Sequence, residues 1–145
     1  MKKGLAFLLV ILFAVLTGCS SGTADKDPWQ YGMNTGLGGV NNNPDLQEFS
    51  YNLSLSQNSK QEFQNVKVEL QINDKFQERI LGKDGTLQVQ VTALQPDDPI
   101  TMEGKIRLDT RNMTKEEIMG MGPVIANISI TWTQNGRTFT KNRPI

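Results

Sequence analysis

The sequence predicts an all-β domain, an antiparallel β-sandwich of about seven strands with one short crossover helix, on three observations. Apolar and polar residues alternate with period two in successive stretches from Gln47 onward. An Asn135-Gly136 pair, the strongest short hairpin signal, lies between two strand-like stretches. A single helical signal interrupts the alternation near Thr114.

Taken in order, Phe49, Tyr51, Leu53 and Leu55 share one face, with Ser50, Asn52 and Ser54 on the other. Val66, Val68, Leu70 and Ile72 alternate with Lys67, Glu69 and Gln71. Residues Phe76 to Leu81 read as a strand with Phe76 and Ile80 facing inward. Asn73-Asp74-Lys75 is then a three-residue loop that pairs Ile72 with Phe76 and Val68 with Ile80. Leu87, Val89 and Val91 oppose Gln88 and Gln90, and Ile100, Met102, Ile106 and Leu108 alternate with charged and polar neighbours. In the last long stretch Val124, Ala126, Ile128, Ile130 and Trp132 face inward and Ile125 outward. A two-residue turn at Asn135-Gly136 places Trp132 opposite Phe139, so the register keeps aromatic residues together. Asp84-Gly85 and Gln95-Pro96-Asp97-Asp98-Pro99 punctuate the remaining joints. Thr114 as N-cap and Glu117 at the third helical position form a capping box, and Gly120, Gly122 and Pro123 end the helix within two turns. This strand number and spacing is similar to that of immunoglobulin-like or fibronectin-III-like modules, without the cysteine and tryptophan hallmarks of true immunoglobulin domains.

The amino-terminal segment follows other rules. Lys2 and Lys3 precede twelve unbroken apolar residues, Leu5 to Leu16, and small residues follow. A helix of that length spans about 18 Å, short of the roughly 30 Å hydrocarbon core, so the layout is that of a secretory signal. Leu16-Thr17-Gly18-Cys19 resembles the lipobox of bacterial lipoproteins at every position. The resemblance implies cleavage before Cys19, lipid attachment to its thiol, and a palmitate-type acyl anchor in the outer leaflet of the cell membrane. With two membranes and Ser20 after the cysteine, the outer membrane is implied instead. The expected organisation is a signal peptide over residues 1–18, a flexible tether over 19–46 and the β-sandwich over 47–145. The tether composition is Ser, Gly, Thr, Asn and Asp, although Trp29, Tyr31, Met33 and Leu37 recur in it at mostly even spacing. Those four dock on the domain as an added edge segment, contact a partner, or belong to a loosely ordered linker.

Composition narrows the chemistry. Among 145 residues, 15 Lys and Arg balance 15 Asp and Glu, which argues against a nucleic-acid partner. There is no histidine, removing the usual general base and the imidazole metal ligands, and one cysteine, removing an internal disulfide. No cofactor, metal or catalytic residue is expected. Asp97 and Asp98, with Asp84 or Asp45, are the only acidic residues considered for an ion between loops, and acidic turn residues need none. The candidate binding surface is the set of outward amides Asn52, Gln71, Gln88 and Gln90, together with Met119 and Met121 beside the crossover helix. The resulting expectation is a monomeric, non-enzymatic, membrane-anchored domain that binds an envelope protein or cell-wall polymer. The competing expectations are an accessory subunit of an envelope complex without its own ligand and a hydrolase using two carboxylates about 5–9 Å apart.

Overall fold

The computed structural model describes residues 27–145. Eight strands form two antiparallel sheets. In chain order they are β1 Trp29–Val40, β2 Asn43–Gln57, β3 Phe63–Ile72, a short helix α1 Asp74–Gln77, β4 Ile80–Gly85, β5 Gln88–Leu94 and β6 Ile100–Asp109. Helix α2 Lys115–Gly120 follows, then β7 Ile125–Gln134 and β8 Arg137–Pro144. One sheet has the order β1-β2-β6-β4 and the other β5-β3-β7-β8.

The chain is an all-β sandwich, as the alternation predicts. Setting β5 aside, the sheets reproduce the ABED and CFG arrangement of immunoglobulin-type sandwiches. The eighth strand, β5, is added beside β3. It arises because the chain changes sheets between β4 and β5. The Thr86 amide donates to Glu103 O in the first sheet, and Leu87 O accepts from the Leu70 amide in the second. Gly85 makes the crossing possible, since it holds φ +106° and a Cβ there would lie 2.3 Å from Glu103 O.

Inward side chains of both sheets merge in one core. Leu53 and Leu55 of β2, Val66 and Val68 of β3, Ile106 and Leu108 of β6, and Ile128 and Ile130 of β7 are fully enclosed. Trp29, Phe63 and Trp132 close one end, with ring centroids 5.3–5.7 Å apart, and Phe139 stacks on Trp132 at 5.5 Å. The β7–β8 register pairs Trp132 with Phe139 and Thr133 with Thr138, as the Asn135-Gly136 turn predicts. Buried Gln57 secures the same end. Its amide donates to Gln61 O at 2.9 Å, and its carbonyl accepts from the Ser59 amide at 2.8 Å.

The structure corrects three expectations. Residues 29–46 of the expected tether belong to the sandwich: β1 pairs with β2 from Trp29↔Gln57 through Gly39↔Gln47, and Trp29 is only 3% exposed. The segment from Phe76 to Leu81 is not one strand paired with β3. Asn73 caps α1 through its side chain, Phe76 drops from that helix into the core, and Ile80 pairs with Leu108 in the opposite sheet. Ile125, expected outward, is buried opposite Ile72, because the register shifts between Gln71 and Ile72 and reverses the faces at the start of β7. The strand count is eight, in line with the expected figure of about seven. The capping box at Thr114 is present as expected: Thr114 Oγ1 accepts from the Glu117 amide at 3.2 Å, and the Glu117 carboxylate accepts from the Thr114 amide at 2.7 Å.

Candidate functional site

The antiparallel order fixes two ends of the molecule. Trp29, the loop 58–62, the loop 95–99 and the Asn135-Gly136 hairpin gather at one end. The turn at Asn41-Asn42, helix α1 and the 110–124 segment with α2 gather at the other. Leu37 lies eight residues along β1 from Trp29, about 26 Å at the rise of a strand. The described chain therefore enters at the Trp29 end, and α2 sits far from that entry. Cys19 lies outside the described residues.

The sequence-derived surface residues separate into three places. Asn52 stands on the outer face of the first sheet, where its amide approaches the Glu103 carboxylate at 3.5 Å. Gln71, Gln88 and Gln90 share the outer face of the second sheet. There Gln71 accepts from Asn127 Nδ2 at 2.9 Å, and a shallow depression of about 600 Å³ brings Gln71 and Gln88 together with Glu69, Asp74 and Lys83. The two methionines also part company. Met121 packs against the core, and its carbonyl accepts from Asn73 Nδ2 at 3.0 Å. Met119 is 69% exposed.

Met119 keeps the helix neighbours expected from the sequence, Met113 and Ile118, and meets residues of β1 and β2 that the sequence did not assign to it. Together with Met113, Lys115 and Ile118 it lines a cavity of about 480 Å³, whose other lining residues are Leu37 of β1 and Pro44 and Gln47 of β2. Leu37 is 45% exposed. Thioether and branched aliphatic side chains, which adapt readily to different shapes, line this concavity beside the polar groups of Gln47 and Lys115. Leu37 lies in the segment expected as tether, where docking as an edge segment is one of the alternatives left open. The signal that marks it is the two-residue spacing of Trp29, Tyr31 and Met33, continued after one polar step at Thr35.

The carboxylates with shifted affinities for protons all have structural partners. The Arg111 guanidinium and backbone hold Asp109 down to about 2. Lys105, with Arg107 beyond it, lowers Glu48. The Thr114 backbone amide lowers Glu117 within the capping box. Burial, and secondarily the Asp84 charge, raise Tyr51. The acidic turn residues do not converge: the Asp97 amide donates to Gln57 O at the Trp29 end, whereas Asp45 O accepts from the Thr110 amide at the other. Among the described residues no group of three or more His, Cys, Asp or Glu side chains is placed to hold a metal ion. No helix among them is long and apolar enough to cross a membrane.

The fold and these surfaces define the chain as an immunoglobulin-like β-sandwich with a cavity at one end. No family model and no curated protein matches the chain. Among solved structures it is similar to a FixG-related protein from Vibrio parahaemolyticus, at 14% identity over 81% of this chain and 94% of that one, with a TM-score of 0.38. An uncharacterized β-sandwich protein from Clostridium difficile 630 is 12% identical over 80% of this chain and 85% of that one, with a TM-score of 0.30. A GH20 exo-β-N-acetylglucosaminidase from Vibrio harveyi, solved with N-acetylglucosamine, is 12% identical over 77% of this chain, with a TM-score of 0.41. This chain spans only 17% of that enzyme's length.

Proposed function

We propose that the protein is a lipid-anchored envelope protein whose β-sandwich is a non-catalytic binding module for another envelope protein. The observation that carries this reading is the cavity formed by Leu37, Met113, Ile118 and Met119, at the opposite end of the sandwich from the point where the chain enters it. The Lys2-Lys3 start, the apolar run to Leu16 and the box ending at Cys19 support an acyl anchor on that cysteine. Asp27 lies eight positions after Cys19, a reach of at most about 27 Å, so an anchor on Cys19 would tether the Trp29 end of the domain rather than the cavity end. Two or three acyl chains supply stable anchoring without a basic patch. The absence of histidine, and the structural partners of every shifted carboxylate, support a binding rather than a catalytic role.

A second reading, binding of wall polymer, draws on the depression beside Gln71 and Gln88, where amides and charged groups offer hydrogen bonds to a glycan. Photo-crosslinkers placed at Met119 and at Gln90 in intact cells separate the two. Repeated capture of one envelope protein from position 119 supports the protein reading, and polymer captured from position 90 supports the other. The anchor is tested independently, since Cys19→Ala should release the protein from the membrane fraction or leave its precursor uncut. Unchanged membrane attachment together with unchanged processing would refute it.

A further inference from the structure

Strand β1 is the outermost strand of its sheet, and its free edge can be read residue by residue. Pro28 O accepts from the Asn58 amide at 2.7 Å, so the 28–58 pair is a hydrogen-bonded one. The register continues unshifted from Trp29↔Gln57 to Gly39↔Gln47. Because hydrogen-bonded and non-hydrogen-bonded pairs alternate, the even-numbered residues of β1 bond to β2. The N–H and C=O groups of Tyr31, Met33, Thr35, Leu37 and Gly39 therefore point away from the sheet. None of them finds a backbone partner among the described residues.

Natural edges are ordinarily blunted by charge, proline or shortness. Strand β8 carries Arg137, Lys141, Arg143 and Pro144, β4 carries Lys83 and Asp84, and β5 is seven residues long. In contrast, β1 runs twelve residues without one charged residue or proline. Its core-facing side chains are also only partly covered. Tyr31 is 42% and Leu37 45% exposed, and Met33 is half-buried. An added strand would satisfy the outward backbone groups and cover these three side chains with every second residue of its own.

We propose that β1 is a docking edge to which an envelope protein contributes an extended, strand-forming segment. This deepens the binding-module reading and rests on it. A polypeptide is specified because only another backbone offers donors and acceptors at strand spacing. The charges at either end of the edge specify its character. Arg143 lies 4.6 Å over the Tyr31 ring and shares the single carboxylate of Asp27 with Lys141, which leaves one cation in excess. Lys115 stands beside Leu37 and forms no ion pair among the described residues. A second copy of this chain would bring cations against cations in either direction. A segment with alternating apolar residues and acidic flanks matches both ends.

The test uses the full chain in detergent micelles and a synthetic twelve-residue peptide of alternating Val and Thr, flanked by two Glu at each end. Residue-resolved hydrogen exchange should slow by about tenfold or more at the amides of Tyr31, Met33, Thr35 and Leu37, leaving even-numbered β1 amides unchanged. Thr35→Pro removes an outward N–H that β2 does not use, so it should abolish the protection with the urea midpoint near that of the parent. The same peptide with lysine flanks should protect at least tenfold less, whether or not the proline variant folds. No protection, protection confined to β5 or β8, or equal protection by the lysine-flanked peptide would overturn the proposal. Protection that grows with protein concentration in the absence of peptide would overturn it too, by making a second copy the occupant. Membrane release of Cys19→Ala is unaffected by any of these results, so failure of the docking edge and failure of the anchored reading are distinguishable.

Discussion

Replacing Trp29 by alanine asks whether residues 29–40 belong to the sandwich. Trp29 is 3% exposed and makes edge-on contacts with Phe63 at 5.3 Å and Trp132 at 5.4 Å. A buried tryptophan removes roughly 200–250 Å² from water, worth about 5–6 kcal/mol at 25 cal/mol per Å². That figure is an upper bound, because the unfolded chain already hides part of the surface and alanine keeps one carbon of the side chain. Large-to-small aromatic changes in cores cost about 3–5 kcal/mol, a third or more of the stability of an ordinary domain. With a urea dependence of about 1.5 kcal/mol per M, the midpoint followed by circular dichroism should fall by about 2–3 M. If Trp29→Ala lacks a folded baseline, Trp29→Phe retains a ring and should fall by a smaller, measurable amount. Gln30→Ala, exposed on the other face of the same strand, should stay within about 0.5 kcal/mol of the parent. A Trp29→Ala midpoint indistinguishable from that of Gln30→Ala would mean that the segment is a tether after all.

Gly104→Ala should also destabilise, for the opposite reason: its Cβ would lie 2.4 Å from Asp84 O and 2.5 Å from Tyr51 Oη. Overpacking of this kind costs about 1–3 kcal/mol or more, and an unchanged melting temperature would show that Tyr51 does not cross this position. Thr114→Ala removes the side-chain acceptor of the capping box and should cost about 1 kcal/mol, read as faster amide exchange at Glu117; unchanged exchange there refutes the cap. Asp109 gives a pH signature. Its folded-state value, about 2 against an ordinary 3.8, is depressed, so its contribution is present above about pH 4 and is lost as the pH falls towards 2. The stability gap between the parent and Asp109→Asn should therefore be constant near neutrality and close between pH 4 and 2, whereas a gap that persists at pH 2 contradicts the Arg111 pairing.

Much of the sandwich was legible before any coordinates. Period-two alternation marks which residues of β2, β3 and β6 face inward, because successive side chains of a strand leave opposite faces. The Asn135-Gly136 turn sets the β7–β8 register, since few residue pairs accept positive φ at both positions and these two do, at +51° and +73°. The capping box at Thr114 is equally local: donor, acceptor and helix start lie within four residues. Strand β1 was legible only as one alternative to a linker, because glycine or a small polar residue occupies much of its outer face, which leaves only Trp29, Tyr31, Met33 and Leu37 to carry the signal.

Other features depend on partners distant in sequence. Asn73 is a competent turn residue in either a hairpin or a helix cap; its Nδ2 donating to Met121 O and Pro123 O decides for the cap and sends Phe76 into the core. The choice of sheet for β4 and β5 is invisible to periodicity, which states that a residue is covered but not by what. The reach of Leu37 across to Met113, Ile118 and Met119 is of the same kind: it joins the first strand to a helix more than 70 residues later. By itself the sequence determined the faces, the local turns and caps, and the lipobox resemblance at Cys19, because each is written in neighbouring residues. Only the tertiary structure decided the eighth strand, the free edge of β1 and the cavity, because surfaces made by distant segments exist only once those segments are packed.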